Sequence, residues 1–323
     1  MILAIAHHPK RGVLRWGICL LLGVVSPLLA QVATNQTAPL EEARAAYLVS
    51  QWQTDEGLPQ NSVTCIAQTP DGYLWLGTFD GLARFDGARF WIFNSANTPA
   101  LASNRIVALF VDGQGALWIV SETGDLAQLA NGRFTRFTEK DGVPASGVTR
   151  LGEDGAGNLW AGARNNEGCF RLEDGRFVLR LRPEPTLKNS AVIALIPTVE
   201  GILWAAQGEH LIQITPGEPE WFTLDIGRPE PLLSGVGQAP SGGVRWRHGL
   251  CRCREGGLWI VAEDGLRKLR AGHWASIARC PLASVRSMAE DSHGNVWVGT
   301  SDEGLFQFDA TNGVHRFKLN TDI

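Results

Sequence analysis

The chain has 323 residues, 19% of them charged, and a formal net charge of −4. This length accommodates two ordinary domains or one large all-β domain, and the nearly balanced charge excludes the basic surface typical of nucleic-acid-binding proteins. The 37 glycines, 12 tryptophans and 13 phenylalanines favour short strands joined by tight turns around an aromatic core.

The first thirty residues have the pattern of an export signal. Lys10, Arg11 and Arg15 accompany an apolar run at 16–30, which a polar segment follows. The run is shorter than the ~20 apolar residues of a comfortable membrane span. We therefore predict a signal peptide at 1–30, a linker at 31–46 and a periplasmic or extracellular location. An uncleaved membrane anchor is the alternative.

Five cysteines follow the predicted signal peptide, and an odd number leaves at least one thiol unpaired within the chain. Cys251 and Cys253 are two residues apart, so on a strand they share one face. A metal site needs further ligands at suitable spacing, and no histidine completes such a motif here. Two small buried side chains explain the pair, and we expect neither a metal nor a cofactor.

A repeat of roughly forty residues occupies the segment 47–323. Six tryptophans lie 43, 42, 44, 55 and 38 residues apart, and each follows a glycine by three positions and an aliphatic residue by one. Self-similarity at this period indicates a repeat architecture. The tryptophans are Trp75, Trp118, Trp160, Trp204, Trp259 and Trp297, in copies near 63–93, 106–137, 148–180, 192–224, 247–277 and 285–319.

The first copy indicates how one repeat folds. Four short β-rich segments, separated in part by turns at Asp71–Gly72 and Asp86–Gly87, predict four antiparallel strands between residues 63 and 93. Four such strands form one propeller blade, so the fold class is an all-β propeller. We expect each tryptophan to be structural, as a wedge between neighbouring blades. A sugar-stacking role for these rings is the alternative.

A family resemblance rests on these same segments. VTCIAQTPDGYLWLGTFDGLARFDG (63–87) and VRSMAEDSHGNVWVGTSDEGLFQFD (285–309) resemble the two-component regulator propeller repeat, and WQTDEGLPQNSV (52–63) resembles its inter-blade linker. The resemblance extends over roughly 47–323. The fourth copy lacks the turn aspartate and the fifth is distorted.

The resemblance implies an extracytoplasmic propeller that senses a ligand, often a carbohydrate breakdown product. In hybrid two-component systems the signal then passes through a sandwich domain and a membrane helix to a histidine kinase or another output domain. The fold is also similar to that of streptogramin-type lyases, which is an analogy at the level of fold alone.

The number of blades depends on residues 47–53, which have the pattern of a fourth strand without its first three. A seven-bladed ring, in which this orphan strand closes an incomplete seventh blade, is the simplest interpretation. A six-bladed ring with a spare strand is the alternative. On the first interpretation the chain is a piece of a larger sensor and lacks its own output domain.

Candidate ligand-binding residues come from two sets of connections. Strands alternate in direction, so the connections between blades and those between second and third strands lie on the same face, and these are the long loops. An insertion at 225–248 adds arginines beside Trp246, which suit a carboxylate or a sugar. Simple solvation of these polar side chains, and a degraded repeat at the insertion, are the alternatives. The candidates are Asn61, Asn104, Arg105, Arg164, Asn165, Asn166, His210, Trp246 and Asp302.

The sequence contains no G-x-S-x-G, H-E-x-x-H or phosphate-loop motif, so we expect no enzymatic activity. We predict an exported sensor propeller whose ligand is a carbohydrate or another small polar molecule. Its expected partners are a membrane-bound histidine kinase, another output domain or a second propeller, but not nucleic acid. An exported lyase or glycan-active enzyme, and a protein-interaction scaffold, are the alternatives.

Overall fold

The computed structural model describes residues 2–7, 47–182, 191–207, 210–214, 224–225, 249–262, 265–270, 273–279, 282, 285–309, 311 and 313–317. Their regular structure is almost entirely β-strand. Two short 3-10 helices, η1 (Thr54–Glu56) and η2 (Glu139–Asp141), lie in the connections that precede blades 1 and 3. No helix within these residues is long and apolar enough to cross a membrane.

Six four-stranded antiparallel sheets follow one another along the chain, each built from four consecutive strands in sequence order. Blade 1 has β3 (Val63–Gln68), β4 (Leu74–Thr78), β5 (Gly81–Phe85) and β6 (Phe90–Phe93); blade 2 has β7 (Ile106–Val111), β8 (Leu117–Ser121), β9 (Leu126–Ala130) and β10 (Arg133–Phe137). Blade 3 has β11 (Val148–Glu153), β12 (Leu159–Ala163), β13 (Cys169–Glu173) and β14 (Arg176–Leu181); blade 4 has β15 (Val192–Pro197), β16 (Leu203–Gln207), β17 (His210–Ile214) and β18 (Leu224–Asp225). Blade 5 has β19 (Leu250–Arg252), β20 (Leu258–Ala262), β21 (Gly265–Arg270) and β22 (His273–Arg279); blade 6 has β23 (Val285–Glu290), β24 (Val296–Thr300), β25 (Leu305–Phe308) and β26 (Val314–Phe317).

The fold is an all-β, six-bladed propeller with one additional strand before it, as the repeat predicted. The additional strand, β2 (Tyr47–Trp52), pairs with β1 (Ile2–His7), and β1 lies within the segment predicted to be a signal peptide. The signal peptide at 1–30 and the linker at 31–46 stay predictions. The first strands of neighbouring blades, such as β3 with β7 and β11 with β15, lie against each other and form the centre of the propeller.

Glycine at one turn position has the backbone geometry that the sequence predicts. The glycine three residues before each tryptophan has a positive φ, from +80° at Gly157 to +105° at Gly256. Only a residue without Cβ adopts this conformation at no steric cost, and the turn reverses the chain between the first and second strands of each blade.

Five of the six tryptophans of the repeat lie buried at junctions between neighbouring blades. Trp75 packs against Leu117 and Ile119 of blade 2, and Trp118 packs against Val148 and Leu151 of blade 3. Trp160, Trp204 and Trp259 pack in the same way against blades 4, 5 and 6, and all five rings are at most 8% exposed.

Trp297 differs from the other five tryptophans within the described residues, and its role as a wedge stays a prediction. This ring is only partly buried, and it stacks on Phe317 of its own blade with 5.5 Å between ring centroids. The reason is geometric, because the innermost strands of blades 6 and 1 are not in the close contact seen at the other five junctions among the described residues. Whether a seventh blade fills this junction stays a prediction.

Candidate functional site

At one end of the propeller, the linkers between blades are hydrogen-bonded to the loops between the second and third strands of the blades. The backbone N–H of Gly81, where the loop after β4 enters β5, donates to the carbonyl of Asn104, in the linker between blades 1 and 2, at 2.9 Å. The N–H of Val148, directly after the linker between blades 2 and 3, donates to the carbonyl of Gly124, in the loop after β8, at 3.0 Å. We call this end the long-loop face; it comprises the described connections 79–80, 94–105, 122–125, 138–147, 164–168 and 301–304. The shared hydrogen bonds confirm that both kinds of connection lie on one face.

Arg105 and Glu122 form the most exposed charged pair of this face. The Arg105 guanidinium donates to the Glu122 carboxylate and lies 4.3 Å from the ring centroid of Phe79. The hydrogen bond to Glu122 raises the pKa of Arg105, and the reverse contact lowers the pKa of Glu122. The two side chains are 50% and 48% exposed, so the pair is solvated and contributes little to stability. Its groups are therefore accessible to a ligand.

Arg164 connects this pair to blade 3. Its guanidinium donates to the backbone carbonyl of Glu122, and its own carbonyl accepts a hydrogen bond from the Ser146 hydroxyl at 2.9 Å. The Nε atom of Arg164 is buried and has no acceptor among the described residues. Arg164 thus fixes the loops of blades 2 and 3 against each other.

Asn165 and Asn166 form the tip of the loop after β12. Both have left-handed backbone conformations, with φ of 51° and 60°, which asparagine tolerates better than most residues. The Asn166 Oδ1 atom accepts a hydrogen bond from the Gln207 Nε2 atom of blade 4 at 2.7 Å. The long-loop face is therefore linked through side chains from blade 2 to blade 4.

The remaining predicted residues have other positions. The Asn61 Oδ1 atom accepts from the backbone of Thr54 at 2.9 Å, and the Asn104 Oδ1 atom accepts from Ser95 at 2.8 Å, so both amides hold their own linkers. Asp302 is exposed in the loop after β24. The side chain of His210 and the whole of Trp246 lie outside the described residues. Of the nine candidates, Arg105 and Arg164 both contact Glu122, and Asn166 forms a separate hydrogen bond with Gln207.

The sequence did not single out Glu122 or Gln207, although each joins two blades. Glu122 lies 17 residues after Arg105, and Gln207 lies 41 residues after Asn166. A pair separated by a whole strand or a whole blade leaves no local periodic signal. The polar character of the loops was the one signal available.

The described cysteines have no disulfide, and their environment suits packing. Burial raises the pKa of Cys65 to about 11 and that of Cys169 to about 12. Burial is also the main cause that raises the pKa of Cys251 to about 12, and Cys253 is fully buried. The thiols of Cys65, Cys169 and Cys251 are therefore neutral at physiological pH and are poor nucleophiles. Within the part of the chain that the structure describes, no group of side chains is arranged to hold a metal ion.

Comparison with known proteins gives a family model and several propellers. The model of the two component regulator propeller matches residues 57–80 and 281–302. No curated protein sequence matches the chain.

Among solved structures, a streptogramin B lyase has a TM-score of 0.61 at 17% identity, over 82% of this chain and 86% of that one. The virginiamycin B lyase from Staphylococcus aureus has a TM-score of 0.58 at 13% identity, over 80% and 84%. The extracellular domain of a putative hybrid two component system from B. thetaiotaomicron has a TM-score of 0.52 at 16% identity, over 80% of this chain and 38% of that one. At these identities the likeness shows the propeller fold, and the family model matches one segment in the first blade region and one in the last.

Proposed function

We propose that this chain is an exported ligand-binding propeller of a two-component signalling system. Its long-loop face takes a carbohydrate or another small polar ligand, and a membrane-bound histidine kinase or another output domain receives the signal. The repeats that match the regulator propeller model support the signalling context. The observation that carries the binding role is the network of Arg105, Glu122 and Arg164, with Asn166 in the same loop as Arg164, which places charged and amide groups from neighbouring blades on one accessible face.

The chemistry of this network suits a polyhydroxylated ligand. Phe79 holds the Arg105 guanidinium in place, so a ligand that binds it pays a reduced entropic cost. Arginine donates to hydroxyl and carboxyl oxygens, and the carboxylate of Glu122 accepts from hydroxyl groups. A sugar offers both donors and acceptors at adjacent carbons, so it can bridge the two side chains.

The direct test is ligand binding by the full chain. We expect a panel of oligosaccharides, screened by thermal shift and confirmed by isothermal titration calorimetry, to contain at least one ligand. Arg105→Gln should weaken its affinity about tenfold, which corresponds to the loss of one charge-assisted hydrogen bond. Arg133→Gln is the matched control, because Arg133 is an exposed arginine at the turn between β9 and β10, on the opposite face.

Equal affinities of wild type and Arg105→Gln would place the ligand elsewhere. A complete absence of binding across the panel would contradict the proposed sensing of carbohydrates.

A lyase activity is the second candidate, because two of the similar structures are lyases. Their likeness shows a shared fold, and fold alone does not determine function. We expect no turnover when the chain is incubated with a streptogramin B antibiotic and the products are analysed by mass spectrometry. Linearised product in that assay would replace the sensor by an enzyme.

A further inference from the structure

One arginine interrupts a series of small residues at the centre of the propeller. The residue ten positions before each tryptophan lies on the innermost strand of its blade or directly next to it. In five blades this residue is small, and in blade 3 it is Arg150. The small residues are Cys65, Ala108, Ala194, Gly249 and Ser287.

A β-bulge directly precedes Arg150. The pairing of β11 with β12 shifts register between Val148 and Arg150, so Thr149 is the extra residue. Because β11 begins at Val148, directly after the linker of the long-loop face, Arg150 lies two residues, or ~7 Å along the strand, below that face.

No carboxylate among the described residues neutralises the charge of the Arg150 guanidinium. Its Nη1 atom donates to the backbone carbonyl of Thr149 at 2.7 Å, and the described residues provide no carboxylate partner. It also interacts electrostatically with Cys65, on the innermost strand of blade 1, so the guanidinium lies on the side of β11 that faces the centre of the propeller.

Cys65 does not serve as the counter-ion. Burial raises the pKa of its thiol to about 11, so it carries no charge at neutral pH. Burial also lowers the pKa of Arg150, although arginine stays protonated in proteins. A cation that is partly buried without an anionic partner destabilises the fold, and a bound anion would remove that cost.

We propose that Arg150 is the anchor of an anion site in the central channel, for the carboxylate, sulfate or phosphate group of a ligand that enters from the long-loop face. The planar guanidinium matches these oxyanions with two parallel hydrogen bonds. This inference rests on the proposed function and names the class of ligand as acidic.

The test is calorimetric titration of the full chain with glucuronate, inorganic sulfate, inorganic phosphate and glucose. We expect at least one anion to bind more than tenfold more tightly than glucose. Arg150→Gln should weaken that binding at least tenfold. Arg150→Lys should weaken it less, because lysine keeps the positive charge although it cannot form the two parallel hydrogen bonds of a guanidinium. Arg133→Gln should bind like the wild type. If only glucuronate binds, the ligand of the site is an acidic sugar. If sulfate or phosphate binds as tightly as glucuronate, the ligand is a simple oxyanion. Both results support the anion site.

Two results would overturn the proposal. One is that no anion binds, and the other is that the affinity is the same in wild type, Arg150→Gln and Arg150→Lys. Should Arg150→Gln fail to fold, as its thermal melt will show, the comparison of Arg150→Lys with wild type decides. If a neutral oligosaccharide binds at the long-loop face while the anions do not, the anion site is wrong and the proposed function stands.

Discussion

At the scale of single residues, the six tryptophans of the repeat occupy unequal environments. Trp75 is 3% exposed within the junction of blades 1 and 2, whereas Trp297 is only partly buried. Trp75→Ala should lower the free energy of unfolding by ~3–5 kcal/mol, as for other large aromatic deletions in cores. Trp297→Ala should cost less. Urea unfolding followed by the fluorescence of the remaining tryptophans measures both, and equal losses would show that Trp297 is as tightly packed as Trp75.

The carboxylate of Asp154 holds the indole ring of Trp160 in place through a hydrogen bond. Its Oδ2 atom accepts from the Trp160 Nε1 atom at 2.8 Å, and Asn158 donates to both carboxylate oxygens. Burial acts to raise the pKa of Asp154, but the hydrogen bonds from Trp160 and Asn158 outweigh it and hold the pKa below its ordinary value of 3.8. A carboxyl whose pKa is lowered by folding stabilises the protein above its unfolded-state pKa and loses that contribution as the pH falls through its folded pKa.

Asp154→Asn should therefore cost ~1–2 kcal/mol at pH 7. The difference from wild type should stay constant down to about pH 5 and shrink below about pH 4, where the wild-type carboxyl protonates. Urea unfolding at pH 7, 5 and 3.5 gives the three differences. A difference that does not change with pH would mean that the ionised form has no advantage at this site.

At the scale of secondary-structure elements, the bulge residues of the innermost strands join one blade to the next. The Thr149 hydroxyl lies 2.9 Å from the carbonyl oxygen of Gly162 and 2.5 Å from that of Val192, and Thr64 makes the same pair of contacts to Gly77 and Ile106. One hydroxyl proton is shared between two carbonyls, one in its own blade and one in the next.

Replacement of that hydroxyl by a methyl group should loosen one junction. We expect Thr149→Val to lower the free energy of unfolding by ~1 kcal/mol, the net value of a typical hydrogen bond. Thr135→Val on the exposed side of β10 is the control and should be nearly neutral. A thermal melt in which both variants match wild type would show that the bulge hydroxyls contribute nothing to the junctions.

The blades could be predicted from the sequence because tryptophan, glycine and the apolar positions recur at fixed offsets within each copy. A further series of residues does not recur at a fixed offset, because its distance from tryptophan varies from nine to eleven positions with the length of the intervening loop. It consists of the long polar residues that pair with the tryptophans across the second and third strands: Arg84, Gln128, Arg171, Gln213, Lys268 and Gln307.

The candidate site was harder to predict for a related reason. Arg105, Arg164 and Glu122 are all polar loop residues in the sequence, but the contacts between them depend on how adjacent blades stack.

At the scale of the whole molecule, five junctions between blades are alike and the ends differ. Ile66 of blade 1 is 55% exposed, whereas its equivalents Leu151 and Leu195 are 6% and 7% exposed beneath the preceding blade. Trp52 of β2 packs against Phe85 of blade 1 with 5.1 Å between ring centroids. This resembles the contact of a fourth-strand aromatic with the following blade elsewhere in the ring. β2 therefore lies against blade 1, and the seven-bladed ring stays a prediction.

The exposed side chain of Ile66 on β3 should promote association between molecules, because its burial against a second surface removes apolar area from water. We expect sedimentation velocity of the chain to show concentration-dependent self-association, and Ile66→Glu to shift the distribution towards monomer. Val199→Glu is the matched control, because Val199 is 57% exposed in the turn between β15 and β16, away from the open junction. A monomeric wild type at every concentration would show that the face of blade 1 is already covered. If Ile66→Glu and Val199→Glu had the same effect, association would depend on general surface hydrophobicity and not on the open junction.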